Sequence, residues 1–142
     1  MKTIFTTIFF LLIIGISSNA QVSNSFGYSG TIGTLKTELI LNLTISKDEC
    51  TYEFEGSYFN KKLNKDMILK ATLKPCENER EDPNKNITLT EFDGDVVTGT
   101  LVLTGIGEVS CNGNWISPNG KKKMIAHFVA IREKEVPKEK KK

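Results

Sequence analysis

The sequence predicts an all-β protein, an eight-stranded antiparallel up-and-down meander that closes into a small barrel, with a β-sandwich as the alternative. Apolar and polar residues alternate with a period of two along most of residues 26–131. Clusters of turn-forming residues separate these segments. The connections are too short for parallel crossovers, so neighbouring strands should pair antiparallel. With 142 residues, 39% hydrophobic and 25% charged, the chain has the composition of one globular domain.

Residues 1–20 have the pattern of a secretory signal peptide. Lys2 provides the positive start, residues 4–16 form an apolar run, and Ser18 and Ala20 are small residues suited to a cleavage site. The run is shorter than the roughly 18 apolar residues that a membrane-spanning helix needs. We therefore expect cleavage near Ala20, export to the periplasm or the exterior, and no transmembrane segment in the mature chain.

Eight segments carry the strand pattern. The clearest is 35–46, where Leu39, Leu41 and Leu43 lie on one face and Glu38 and Asn42 on the other. In order, the predicted strands are 26–33, 35–46, 50–59, 67–74, 87–90, 97–104, 109–116 and 121–131.

The connections between these segments contain the residues that turns require. Asn119-Gly120 lies between two apolar runs and is the strongest hairpin signal in the chain. A charged stretch at 77–82 is expected to be a loop. The remaining turns are expected at 60–66, 83–86, 93–95 and 105–107.

Glycines within the strands favour a barrel over a sandwich. Each lies two residues before a large side chain on the same face, and alternating small and large inward residues let a narrow barrel coil tightly. Closure also removes the two exposed edges that an open meander would have to protect. The pairs are Gly56 with Tyr58, Gly99 with Leu101, and Gly113 with Trp115.

A resemblance to known proteins spans residues 27–131. It depends on these glycine pairs together with Ile87-Thr-Leu-Thr-Glu91 and Asn119-Gly120-Lys121. The pattern resembles small secreted or periplasmic bacterial β-barrel domains of avidin- and lipocalin-like meander architecture. The resemblance implies a barrel fold and is architectural. No stretch reproduces an avidin ligand-binding constellation, so no functional residue is carried over.

Three cysteines follow the signal-like segment. Cys50 and Cys76 lie at equal distances on either side of the turn near residue 63, so a hairpin would bring them together. We predict a Cys50–Cys76 disulfide and a free, buried thiol at Cys111. The spacings match no metal site, and the single histidine cannot complete a two-Cys-two-His set.

Catalytic motifs are missing from the sequence. There is no Gly-x-Ser-x-Gly, no phosphate-binding glycine loop and no His-Glu-x-x-His. His127 is read as an ordinary strand residue, and Asp93 and Asp95 as turn residues rather than a calcium site. We therefore expect that the protein is not an enzyme and that it binds no cofactor or metal ion. Asn42 and Asn86 match glycosylation acceptors, which matter only if the source glycosylates exported proteins.

The leading function is therefore an exported, non-enzymatic binding module of the cell envelope or exterior. It would hold a small ligand at the barrel mouth or a partner on its outer face. The alternative is a protein-interaction or inhibitor-type domain whose barrel is completely filled, and an enzyme is the least favoured class. The near-balanced net charge of +2 gives no reason to expect nucleic acid binding. The candidate interior residues are aromatic: Tyr52, Phe54, Tyr58, Trp115 and Phe128.

The last predicted strand is apolar on both faces, since Ile125, Val129 and Ile131 would point outward beside His127. Such a strip is expected to be covered by residues 21–25, by a loop, by a second copy in a homo-oligomer or by another protein. Residues 132–142 hold six basic and three acidic residues and almost nothing apolar, so we expect a disordered basic tail.

Overall fold

The alternating segments form eight β-strands. The computed structural model describes residues 22–131; the predicted signal peptide (1–20) and basic tail (132–142) lie outside them. The strands are β1 (Val22–Ile32), β2 (Leu35–Ile45), β3 (Tyr52–Asn60), β4 (Lys65–Leu73), β5 (Ile87–Asp93), β6 (Val96–Thr104), β7 (Ser110–Ile116) and β8 (Lys123–Ala130).

Each strand pairs antiparallel with the next, and β1 pairs antiparallel with β8, so the sheet is a closed barrel. The predicted meander and its closure are confirmed, and the sandwich alternative is wrong. β1 begins four residues earlier than the predicted start at residue 26, because Val22 to Ser25 pair with the end of β2. Within residues 22–131, no helix is long and apolar enough to cross a membrane.

Glycines mark the points where neighbouring backbones approach most closely. A Cβ atom at Gly30 would lie 1.9 Å from the carbonyl oxygen of His127, across the β1–β8 pairing that closes the barrel. In the same way, a Cβ atom at Gly113 on β7 would lie 1.6 Å from a carbonyl oxygen of β6, and one at Gly56 on β3 would lie 2.1 Å from a carbonyl oxygen of β2. Only glycine allows such contacts, which supports the prediction that in-strand glycines serve tight coiling.

Inward side chains fill most of the barrel. The alternation of β2 buries Leu39 and Leu41, and that of β6 buries Leu101 and Leu103. Other fully buried members of this core include Tyr28, Leu69, Leu89, Cys111, Ala126 and Phe128.

The two ends of the barrel differ. One end, which we call the hairpin end, carries the tight β1–β2, β3–β4, β5–β6 and β7–β8 connections. At the opposite end the sulfur atoms of Cys50 and Cys76 are at disulfide distance, as predicted, and the bond joins the β2–β3 and β4–β5 connections. Cys111 is free and buried, and burial raises the pKa of its thiol to about 11.

The disulfide should stabilise the barrel without being needed for its topology. It closes a loop with a sequence separation of 26, so it should contribute roughly 3 kcal/mol by restricting the unfolded chain. We expect a reducing agent to lower the melting temperature by on the order of 10 °C. The Cys50→Ala/Cys76→Ala variant is the control, since its melting temperature should not respond to the reductant. An equal response of both proteins would contradict a stabilising bond.

The close approach at Gly30 predicts a contrast between two glycines of β1. Gly30→Ala should lower the free energy of unfolding by about 1–3 kcal/mol, because backbone atoms of β8 must move. Gly27→Ala is the matched control, since its added methyl group would meet only a side-chain atom of Ile131 at 3.9 Å. Denaturant unfolding of the two variants measures the difference, and equal stabilities would refute the account of closure.

Candidate functional site

A cavity of about 280 Å³ opens at the hairpin end of the barrel. Its walls are mainly apolar and include Ile32, Leu35, Met67 and Met124, and Thr34 and Asn60 also line it. These side chains come from β1, β2, β4 and β8, so the cavity is surrounded by strands from around the barrel. It is a mouth of the barrel interior rather than a surface groove.

The floor of the cavity contains a buried acid, Glu91. The side chain is only 2% exposed, and it is the one buried charged residue among residues 22–131. The alternation of β5 places it there, because Ile87, Leu89 and Glu91 share the inward face. The sequence reasoning missed Glu91, although the same period-two pattern that identified the strand assigns it to the interior.

Three side chains donate hydrogen bonds to the Glu91 carboxylate. The Thr98 hydroxyl donates to Oε1 at 2.8 Å, and the Trp115 indole N–H donates to Oε2 at 3.0 Å. The Tyr58 hydroxyl also donates to Oε2. All four residues line the cavity. Three donors match the acceptor-only character of an ionised carboxylate.

A β-bulge supplies one of these donors. The β5–β6 register passes from Glu91 opposite Gly99 to Phe92 opposite Val97, which leaves Thr98 as the extra residue of β6. Regular alternation would turn Val97 inward, yet Val97 is 46% exposed. The bulge therefore redirects Thr98 toward the carboxylate, as bulges beside functional sites often do.

A glycine makes room for the second donor. Gly99 lies opposite Glu91, and a Cβ atom there would stand 2.7–2.8 Å from the indole atoms of Trp115. The indole therefore packs directly over the glycine backbone, in reach of the carboxylate. The Gly99-x-Leu101 pair was expected to serve coiling of the barrel, and its glycine also seats Trp115.

The electrostatics of the floor are those of a buried negative charge. Burial raises the pKa of the Tyr58 hydroxyl above its usual range, and the hydrogen bond to Glu91 and its charge raise it further. Tyr58 thus remains a donor at physiological pH. The salt bridge between Lys65 and Asp93 lies on the surface, and within residues 22–131 the partners of Glu91 are neutral donors.

The five aromatic residues predicted to line the interior are divided between the cavity and the core. Tyr58 and Trp115 line the cavity. Phe54 and Phe128 are buried in the packed core, and Tyr52 packs against that core at the opposite end of β3. The barrel is therefore filled over most of its length and open at the hairpin end.

The acidic and basic residues weighed from the sequence lie outside this cavity. Asp93 forms its salt bridge at the β5–β6 turn, and Asp95 is exposed in that turn. His127 is exposed on the outer face, where its Nδ1 is hydrogen-bonded to the Asn112 side chain. No group of three or more metal-ligating side chains occurs within residues 22–131.

The outward strip of β8, expected to be covered, is exposed among the described residues, and Val22 to Ser25 pair with β2 instead of covering it. Ile125, Val129 and Ile131 are 75%, 45% and 48% exposed. The pairing register places polar residues on both sides of β8, with Ser29 and Ser110 opposite Val129. The apolar strip is therefore one side chain wide, and binding of a partner there stays a prediction.

The hydrogen bond from Tyr58 to Glu91 predicts a specific loss of stability. Tyr58→Phe should lower the free energy of unfolding by about 1.5–3 kcal/mol, because it removes a donor from a buried charged group. Tyr52→Phe is the matched control on the same strand, where no hydrogen bond of the hydroxyl is seen among the described residues. Chemical denaturation measures both, and equal effects would contradict the proposed hydrogen-bonded floor.

Comparison with protein-family models, with curated proteins and with solved structures finds no match to this chain. The interpretation of the site therefore depends on its own geometry and chemistry.

Proposed function

We propose that this protein is an exported, non-enzymatic binding module that holds a small organic molecule in the cavity at the hairpin end. The observation that carries the proposal is the combination of apolar walls with a few polar groups converging on the floor. Binding sites for small molecules typically have this composition, since apolar walls supply affinity and a few polar groups supply orientation. Here Tyr58, Glu91, Thr98 and Trp115 are the polar groups of the floor.

The size of the cavity limits the ligand. At about 280 Å³ it is slightly smaller than most ligand pockets, which usually measure roughly 300–1,000 Å³. Below it, Leu89, Leu101 and Phe128 are fully buried in the core and block deeper entry. The ligand that fits best is a single ring or a short branched chain.

Export is supported by two features. The signal-like pattern of residues 1–20 is typical of secreted and periplasmic proteins. A structural disulfide such as Cys50–Cys76 is favoured in oxidising compartments. Both agree with the resemblance to small secreted or periplasmic barrels.

A binding role is favoured over catalysis by the chemistry of the described residues around the cavity. The cavity lining holds no histidine or cysteine. Cys111 is buried in the core, and its raised pKa keeps it a thiol at neutral pH. The Tyr58 and Thr98 hydroxyls donate to Glu91, and the raised pKa of Tyr58 keeps it protonated, so the floor is better suited to orient a molecule than to transform one.

Filling the cavity should abolish binding. Trp115 is the sole tryptophan of the chain and lines the cavity, so ligand binding should change its fluorescence in a saturable way. We expect such a change with members of a panel of small aromatic amines, alcohols and acids. Leu35→Phe, which places a larger side chain in the cavity wall, should remove this response.

Leu73→Phe is the matched control, because Leu73 packs against the core at the opposite end of the barrel. This variant should bind as the wild type does. A panel without any binder, or equal binding by the two variants, would contradict the cavity as the ligand site.

A further inference from the structure

We propose that the cavity selects ligands with a cationic amino group, and that the Glu91 carboxylate receives this group. The inference rests on the proposed function and specifies its ligand class. It depends on the position of Glu91 at the cavity floor, on its hydrogen bonds and on the charges around it.

Glu91 has no cationic partner among the described residues. Glu91 is 2% exposed, and in the described residues its partners are the neutral donors Tyr58, Thr98 and Trp115. Buried charges in proteins are usually paired with an opposite charge or a metal ion. A cationic group in the cavity would complete the pairing that residues 22–131 do not supply.

The Glu91 carboxylate can accept a further hydrogen bond. An ionised carboxylate offers about four lone-pair directions, and three donors occupy three of them. A position therefore remains for a donor from the cavity. An ammonium group has only donors and matches that position, whereas a carboxylate ligand would meet a like charge.

The lysines at the rim do not reverse this preference. Lys62 and Lys122 line the entrance and are exposed to solvent. Charges exposed to water are screened by salt over about 10 Å at 0.1 M ionic strength, whereas a buried carboxylate is screened much less. The buried charge therefore dominates at the floor, and the rim lysines suit a polar or acidic group at the outer end of the ligand.

The test compares three probes of similar size: 2-phenylethylamine, 2-phenylethanol and 3-phenylpropionate. Isothermal titration calorimetry measures their affinities for the wild type and for Glu91→Gln. The wild type should bind the amine on the order of tenfold or more tightly than the alcohol, as a hydrogen-bonded buried charge pair implies. It should bind the propionate most weakly.

In Glu91→Gln the preference for the amine should disappear while the alcohol still binds. Gln retains a carbonyl oxygen for Tyr58 and Trp115, and the Thr98 hydroxyl can rotate to accept from its amide, so the floor is preserved. Glu55→Gln is the control, since it removes the same charge from the exposed face of β3.

The outcomes separate the two proposals. If the wild type binds the alcohol as tightly as the amine, or if Glu91→Gln keeps the preference, the amine inference is wrong and the cavity remains a binding site. The wild-type comparison does not depend on the folding of any variant. If no probe binds to either protein, the proposed function fails as well.

Discussion

The width of an eight-stranded barrel is the constraint on which the rest of this structure depends. Such a barrel is just wide enough for its own inward side chains or for one small ligand. Pairing of β1 with β8 fixes this width, and it needs the backbone contact at Gly30. Residues such as Leu101 and Phe128 then fill the middle and leave space only at the hairpin end. The location and the small size of the cavity both follow from closure.

The buried carboxylate of Glu91 imposes the second condition on the structure. Removing a carboxylate from water costs several kcal/mol even after relaxation of the protein. Hydrogen bonds to a charged group return roughly 1.5–3 kcal/mol each, and Glu91 receives three. The donors therefore offset much of the cost, and they hold the carboxylate in place before any ligand arrives. A cation entering the cavity would meet a charge that is already oriented.

The sequence predicted the fold because a period of two is a direct consequence of strand geometry. Alternation identified the eight strands, and hairpin symmetry about residue 63 identified the Cys50–Cys76 disulfide. The same alternation also places Glu91 on the inward face of β5, beside Ile87 and Leu89. It was not recognised from the sequence as a buried residue, because it is charged. The role of Thr98 could not be derived in this way, because its orientation depends on a bulge that interrupts the period. Likewise, the fit of Trp115 over Gly99 depends on cross-strand packing, which only the closed barrel defines.

The departures from a simple barrel pattern occur together. A charged residue on an inward face, a bulge in β6 and a glycine beneath an indole ring all lie on β5, β6 and β7, around one carboxylate. The buried charge alone would weaken an ordinary barrel, since replacing buried ionic groups with apolar residues of similar volume is often neutral or stabilising. Departures from locally consistent structure are expected at functional sites. The Cys50–Cys76 disulfide lies at the end of the barrel opposite the cavity. The covalent cross-link and the energetically costly buried carboxylate are therefore at different ends. This separation lets the hairpin end hold an energetically costly floor while the remainder of the barrel supplies stability.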